Sequence, residues 1–117
     1  MIVKALRNGL GNLIIFVDYL TRPAEDQADV ERAAAALSLY QFRACPFCIK
    51  TRRTLHKLNL PVTLRDAKNN QQDRQTLLEQ GGKIQVPCLR IDEAGGTTWL
   101  YESKVIDDYL QERFAAA

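Results

Sequence analysis

The stretch LSLYQFRACPFCIKTRRTLHKL, Leu37 to Leu58, constrains the fold more than any other. LSLYQF has the composition of a strand and runs straight into Cys45. PFCIKTRRTLHKL reads as a helix with Pro46 at its first position, where a missing N–H costs nothing. Two cysteines, Cys45 and Cys48, therefore sit two residues apart at a strand-to-helix junction. Such a pair can hold a metal, form a structural disulfide or shuttle electrons, and the surrounding chain has to decide among them.

Pro61 stops this helix, and VTLRD follows as a second short strand. QQDRQTLLEQ reads as a helix ended by Gly81 and Gly82. CLRID, a turn at EAGG and TTWLY together read as an antiparallel hairpin. SKVIDDYLQERF then places Val105, Ile106, Tyr109, Leu110 and Phe114 on one helical side. The order from residue 37 is β-α-β-α-β-β-α. Right-handed crossovers make the first two strands parallel, so the expected class is α/β, a four-stranded mixed sheet flanked by helices.

Residues 1–36 are expected to form a helical N-terminal extension, and residues 37–117 the sheet-containing domain. Val3, Leu6, Leu10, Leu13, Val17 and Leu20 recur at intervals of three and four, which lines them along one helical face. That face needs cover from its own domain, from a partner, or from a membrane surface contacting residues 2–20, where Lys4 and Arg7 would favour anionic lipid. The apolar run Leu13 to Val17 is far below the roughly 20 residues that span a bilayer. No small-x-small cleavage site follows promptly, which argues against a cleaved signal. After Pro23, AEDQADVERAAAA reads as a second helix with acidic residues in its first turns, where the helix dipole favours them.

At 117 residues the chain suffices for one compact domain. Its net charge of +2 is unevenly spread: no acidic residue lies between Glu31 and Asp66, while Arg32, Arg43, Lys50, Arg52, Arg53, Lys57 and Arg65 fall in that window. This is either a solvated helix face or a field that favours a thiolate and attracts an anionic small molecule. Nucleic-acid binding has little support without aromatic interleaving. Three cysteines cannot pair completely, which points to a reducing compartment, cytoplasmic or peripheral on the inner membrane face, and to a catalytic or metal-binding pair.

Three motifs in this order resemble the glutaredoxin family of the thioredoxin-like fold and the glutathione-binding N-terminal domain of glutathione transferases, over about residues 37 to 114. They are Cys45-Pro46-Phe47-Cys48, the QVPCL segment with Val86-Pro87, and LYESKVIDDYL with Glu102-Ser103. The resemblance implies that Val86-Pro87 is a cis peptide bond opposite the cysteines. It also implies that glutathione, as co-substrate, pairs with the backbone of Val86 and seats its γ-glutamyl end at Glu102 and Ser103. Arg43 and Phe47 complete the implied glutathione site. The implied activity is reduction of glutathione mixed disulfides or protein disulfides, with disulfide-containing or glutathionylated proteins as partners.

The residues support that chemistry independently. A thiolate attacks disulfides, and Cys45 at a helix N-terminus would meet unpaired N–H groups and the positive end of the dipole. Cys48, one turn inside, is the expected resolving thiol. The alternative function is an iron-sulfur cluster held by Cys45 of two chains with two glutathiones, against which the second cysteine of the motif speaks. A structural zinc site would have to gather three cysteines and His56 from mismatched places.

Several further side chains have plainer expected roles. Cys88 is expected to be a buried small apolar residue, His56 a surface helix residue and Trp99 a packing residue. Arg65 and Asp66 are expected to form a structural pair. Lys83 and Gln85 either help bind the glycyl carboxylate of glutathione or line a solvated loop.

Overall fold

The computed structural model describes residues 19–115 and, ahead of them, the backbone of Lys4–Arg7 and Ile14–Val17. Lys4–Arg7 (β1) and Ile14–Val17 (β2) pair antiparallel, with Arg7 opposite Ile14. The helix expected from the three-and-four spacing is therefore not formed at these residues. Ile14, Ile15 and Val17 are β-branched and suit a pleated strand, and Gly9 and Gly11 in the intervening sequence disfavour a continuous helix. The remainder of the expected apolar face, including Val3, Leu10 and Leu13, lies outside the described residues.

The second expected helix is present as α1 (Ala24–Ala34), with Glu25 and Asp26 in its first turn. Beyond it the chain follows β3 (Leu37–Gln41), α2 (Pro46–Lys57), β4 (Thr63–Asp66), α3 (Gln71–Gly81), β5 (Cys88–Glu93), β6 (Gly96–Tyr101) and α4 (Ser103–Phe114). The strand order is β4-β3-β5-β6. β3 runs parallel to β4 and antiparallel to β5, and β5 and β6 form the expected hairpin. The sheet is mixed, as the right-handed crossover rule required.

Alternation along the two central strands divides the core. Leu37, Leu39, Leu89 and Ile91 face one side, where Val30 and Ala34 of α1, Leu55 of α2 and Ile106, Leu110 and Phe114 of α4 cover them. Tyr40 and Cys88 face the other side with Leu77 of α3, Trp99 and Tyr101. The helix α1 thus shares its core with the sheet. Leu39 and Leu89 stand opposite each other in the ladder and are fully buried. Val105 departs from the expected apolar face of α4 and is exposed, because Ile106, Leu110 and Phe114 at four-residue spacing already define the stripe that meets the sheet.

Helix ends are set locally. Asn70 caps α3 by accepting the N–H of Asp73 at 3.0 Å, and Gly82 closes it with φ of 96° while its N–H reaches the Leu78 carbonyl. α2 ends at Lys57, before Pro61, and its last carbonyl accepts the N–H of Leu20 at 2.7 Å. Among the described residues no helix is long and apolar enough to cross a membrane.

Candidate active site

The end of β3 and the start of α2 bring both cysteines of the motif together. Cys45 is the N-cap residue, with extended backbone at φ −71° and ψ 125°, and Pro46 follows as the first helical residue. No acidic residue occupies the first turn, so nothing there neutralises the positive end of the helix dipole. Cys45 is half-buried and Cys48 fully buried, and both are free thiols. One residue links them to the preceding loop: the Phe42 carbonyl accepts the Cys45 N–H at 3.2 Å, and the Phe42 N–H donates to the Cys48 Sγ at 3.5 Å.

Their electrostatics differ in sign. Partial burial opposes ionisation of Cys45, but the N–H and thiol of Cys48, the N–H of Phe47 and the Arg52 guanidinium outweigh it and hold its pKa below the ordinary thiol value. Cys48 is pushed up to about 11, chiefly by burial and further by the thiol it faces at Cys45. The outer thiol is therefore the one prepared to act as a nucleophile, and the inner one stays protonated at neutral pH.

Phe47, between the cysteines, is 64% exposed and forms one wall of a cleft of about 330 Å³. Gln85, Val86, Pro87, Glu102, Ser103 and Lys104 complete it. The Val86-Pro87 peptide bond is cis. Val86 precedes β5, and among the described residues no backbone hydrogen bond engages it. Across the cleft, Glu102 has φ of 73° and caps α4, Ser103 is its buried first residue, and no acid follows in that turn. This helix terminus suits a carboxylate.

The segment between α3 and Pro87 is held from below. The Tyr101 hydroxyl donates to the Gly81 carbonyl at 2.8 Å and also lies 3.3 Å from the Lys83 carbonyl. A Cβ at Gly81 would come within 2.8 Å of that hydroxyl and 3.1 Å of Leu77 and Trp99, so this close approach requires glycine. Burial and the adjacent Cys88 thiol push the Tyr101 phenol up to about 12, and burial pushes Cys88 itself up to about 11.

Of the residues singled out in the sequence, Phe47, Val86, Pro87, Glu102 and Ser103 line one cleft, and Cys45 and Cys48 stand at the helix end beside its Phe47 wall. Arg43 is exposed and is not among the cleft-lining residues; its carbonyl instead accepts the Arg52 guanidinium at 2.7 Å. Gln85 lines the cleft, whereas the Lys83 ammonium sits 4.6 Å over the Tyr101 ring. Cys88 is buried, His56 is an exposed helix residue edge-on to Tyr19, and Trp99 packs on Tyr40 with Arg90 over its ring. Asp66 spends one carboxylate oxygen on the N–H groups of Lys68 and Asn69, and no ion pair joins it to Arg65 among the described residues. Arg52 is the site residue the sequence did not single out. Its signal was available: four residues after Cys48 and seven after Cys45, it shares their side of α2.

A mixed four-stranded sheet with an N-capping cysteine and a cis-proline segment facing one cleft defines a thioredoxin-like domain. Residues 39–117 match the model of the glutathione S-transferase N-terminal domain, and the chain belongs to that family. Maleylacetoacetate isomerase from Anaeromyxobacter dehalogenans, with GSH bound in its active site, is a structural neighbour at 27% identity and a TM-score of 0.54. That match covers 68% of this chain and 38% of that one, so the chain spans well under half the length of the isomerase. The same enzyme with dicarboxyethyl glutathione and citrate bound in the active site matches at 28% identity and a TM-score of 0.54, covering 68% and 37%. Oxidized glutaredoxin 2 from Chlamydomonas reinhardtii aligns at 20% identity and a TM-score of 0.49, covering 80% of this chain and 97% of that one. No curated relative matches the chain. Among the described residues no three His, Cys, Asp or Glu side chains form a group suited to a metal ion.

Proposed function

We propose that the chain is a glutathione-dependent thiol–disulfide oxidoreductase acting on glutathione mixed disulfides or protein disulfides. The observation that carries this is Cys45: a half-buried thiol with a lowered pKa at the N-terminus of α2, beside a cleft that offers unpaired backbone at Val86 and the N-terminus of α4. In that cleft an extended tripeptide would pair with Val86 as an added strand, with its γ-glutamyl end at Glu102 and Ser103. The structural neighbour that holds GSH in its active site supports the same ligand.

In the reaction, the Cys45 thiolate attacks the glutathionyl sulfur of a mixed disulfide. A Cys45–glutathione disulfide forms, and the substrate thiolate leaves and takes up a proton. A second glutathione thiolate then attacks the glutathionyl sulfur, releasing glutathione disulfide and restoring the Cys45 thiolate. With a protein disulfide, Cys48 can instead displace the substrate from Cys45, and the resulting disulfide is reduced by two glutathiones. A Cys48 thiol at about 11 makes that branch the slower one at neutral pH. The chemistry requires a reducing compartment.

The test is reduction of a small glutathione mixed disulfide, coupled to glutathione reductase. Wild type and Cys48→Ser should turn over, and Cys45→Ser should fall by at least about a hundredfold. No turnover in the wild type, or full activity in Cys45→Ser, would overturn the proposal.

A further inference from the structure

One side chain reaches three consecutive residues ahead of the nucleophile. Arg52, on the second turn of α2, donates through its guanidinium to the Gln41 side chain, to the Phe42 carbonyl at 3.4 Å and to the Arg43 carbonyl at 2.7 Å. These are three consecutive residues linking β3 to Cys45. The middle one is also the residue that accepts the Cys45 N–H and donates to the Cys48 sulfur. A planar guanidinium can reach several acceptors at once in a fixed fork, which an ammonium cannot.

We propose that Arg52 is the positioning residue of the thiol site, holding Gln41, Phe42 and Arg43 against α2 while placing its positive charge beside both cysteines. The inference deepens the proposed reaction by naming the residue that sets the state of its nucleophile. It agrees with the direction of the Arg52 charge, which favours the thiolate at Cys45 and at Cys48 alike. Other charged groups around the site are Arg43 in the loop, Lys50 and Arg53 on the exposed side of α2, and Glu102 and Lys104 across the cleft. None of them makes the three loop contacts.

The experiment follows alkylation of Cys45 by iodoacetamide against pH, read by mass spectrometry, in otherwise intact protein. R52Q should slow the reaction about tenfold near pH 6 and move its midpoint upward by about one unit. R52K, which keeps the charge and loses the fork, should recover only part of that loss. R53Q, which removes a neighbouring exposed charge, should stay within about twofold of wild type. A wild-type profile in R52Q overturns the proposal, as does an R52K profile identical to wild type or an R53Q shift as large as that of R52Q. Should R52Q fail to fold, the R52K profile decides on its own. The readout needs no glutathione, so failure of the proposed reaction leaves it intact and the two can be told apart.

Discussion

Cys45 and Cys48 are the same residue type three positions apart on one helix, and their surroundings push them in opposite directions. The N-cap position supplies Cys45 with N–H donors and an unneutralised dipole, whereas one turn further the thiol is sealed off from water, with the Phe42 N–H donating to it and the Cys45 thiol opposing its ionisation. Cys88 is sealed in as well, on the opposite face of the sheet from Leu39 and Leu89. One equivalent of iodoacetamide at about pH 7 should therefore modify Cys45 at least about a hundredfold faster than either buried thiol. Peptide mapping of the alkylated native protein reads this directly, and comparable labelling of Cys48 or Cys88 before denaturation would contradict it. The nucleophile itself was legible from Cys-Pro-Phe-Cys at a strand-to-helix junction. Arg52 was legible only as a charge on the cysteines' side of α2, because its contacts depend on where the Gln41 side chain and two backbone carbonyls come to lie after the chain turns.

At the scale of elements, α2 and α4 carry the two halves of the site and pack against each other. Ile106, Leu110 and Phe114 turn to the sheet, and Asp107 turns its carboxyl into the helix pair, near Thr51 and Thr54. Asp107 Oδ1 and Thr51 Oγ1 are buried without a hydrogen-bond partner among the described residues. Burial raises the Asp107 pKa, and the nearby Thr51 and Thr54 hydroxyls and the Lys50 charge oppose this without outweighing it. A carboxyl whose pKa is raised on folding contributes stability below its unfolded value, near 3.9, and that contribution is lost as pH rises through the folded value. Asp107→Asn should thus gain about 1 kcal/mol near pH 7, with the gain shrinking toward pH 4. Urea midpoints at the two pH values measure this; an equal effect at both, or a loss confined to pH 7, would refute the account.

For the whole molecule, folding removes two thiols from water, Cys48 on α2 and Cys88 on β5, and both move from the ordinary 9.0 to about 11. Above pH 9 the unfolded chain releases these protons while the folded chain still holds them, so stability falls with rising pH until about 11. The Tyr101 phenol, pushed up to about 12 from 10.0, extends the same trend upward. Thermal midpoints should fall across this alkaline window, and Cys88→Ala should recover roughly 5 °C of that fall. An unchanged alkaline slope in Cys88→Ala would show that its burial does not set the loss. Below pH 9 the lowered Cys45 works the other way, adding stability as its thiolate forms.

Much of this architecture was written locally. Pro46 and Pro61 bracketed α2, Gly81 and Gly82 ended α3, two strand-like runs around the EAGG turn marked β5 and β6, and helical spacing marked the apolar side of α4 apart from Val105. These signals depend on dihedral preference and side-chain period, which a residue carries wherever the chain goes. Residues Lys4–Arg7 and Ile14–Val17 show the limit: the apolar spacing through them satisfies a helix, the β-branched Ile14, Ile15 and Val17 satisfy a strand, and pairing between the two segments chose the strand. Tertiary structure alone decided which acceptors Arg52 meets, that Asp107 is buried and that Arg43 stands apart from the cleft. Those features arise from desolvation and from contacts between segments remote in sequence, and neither quantity exists until the sheet has brought the segments together.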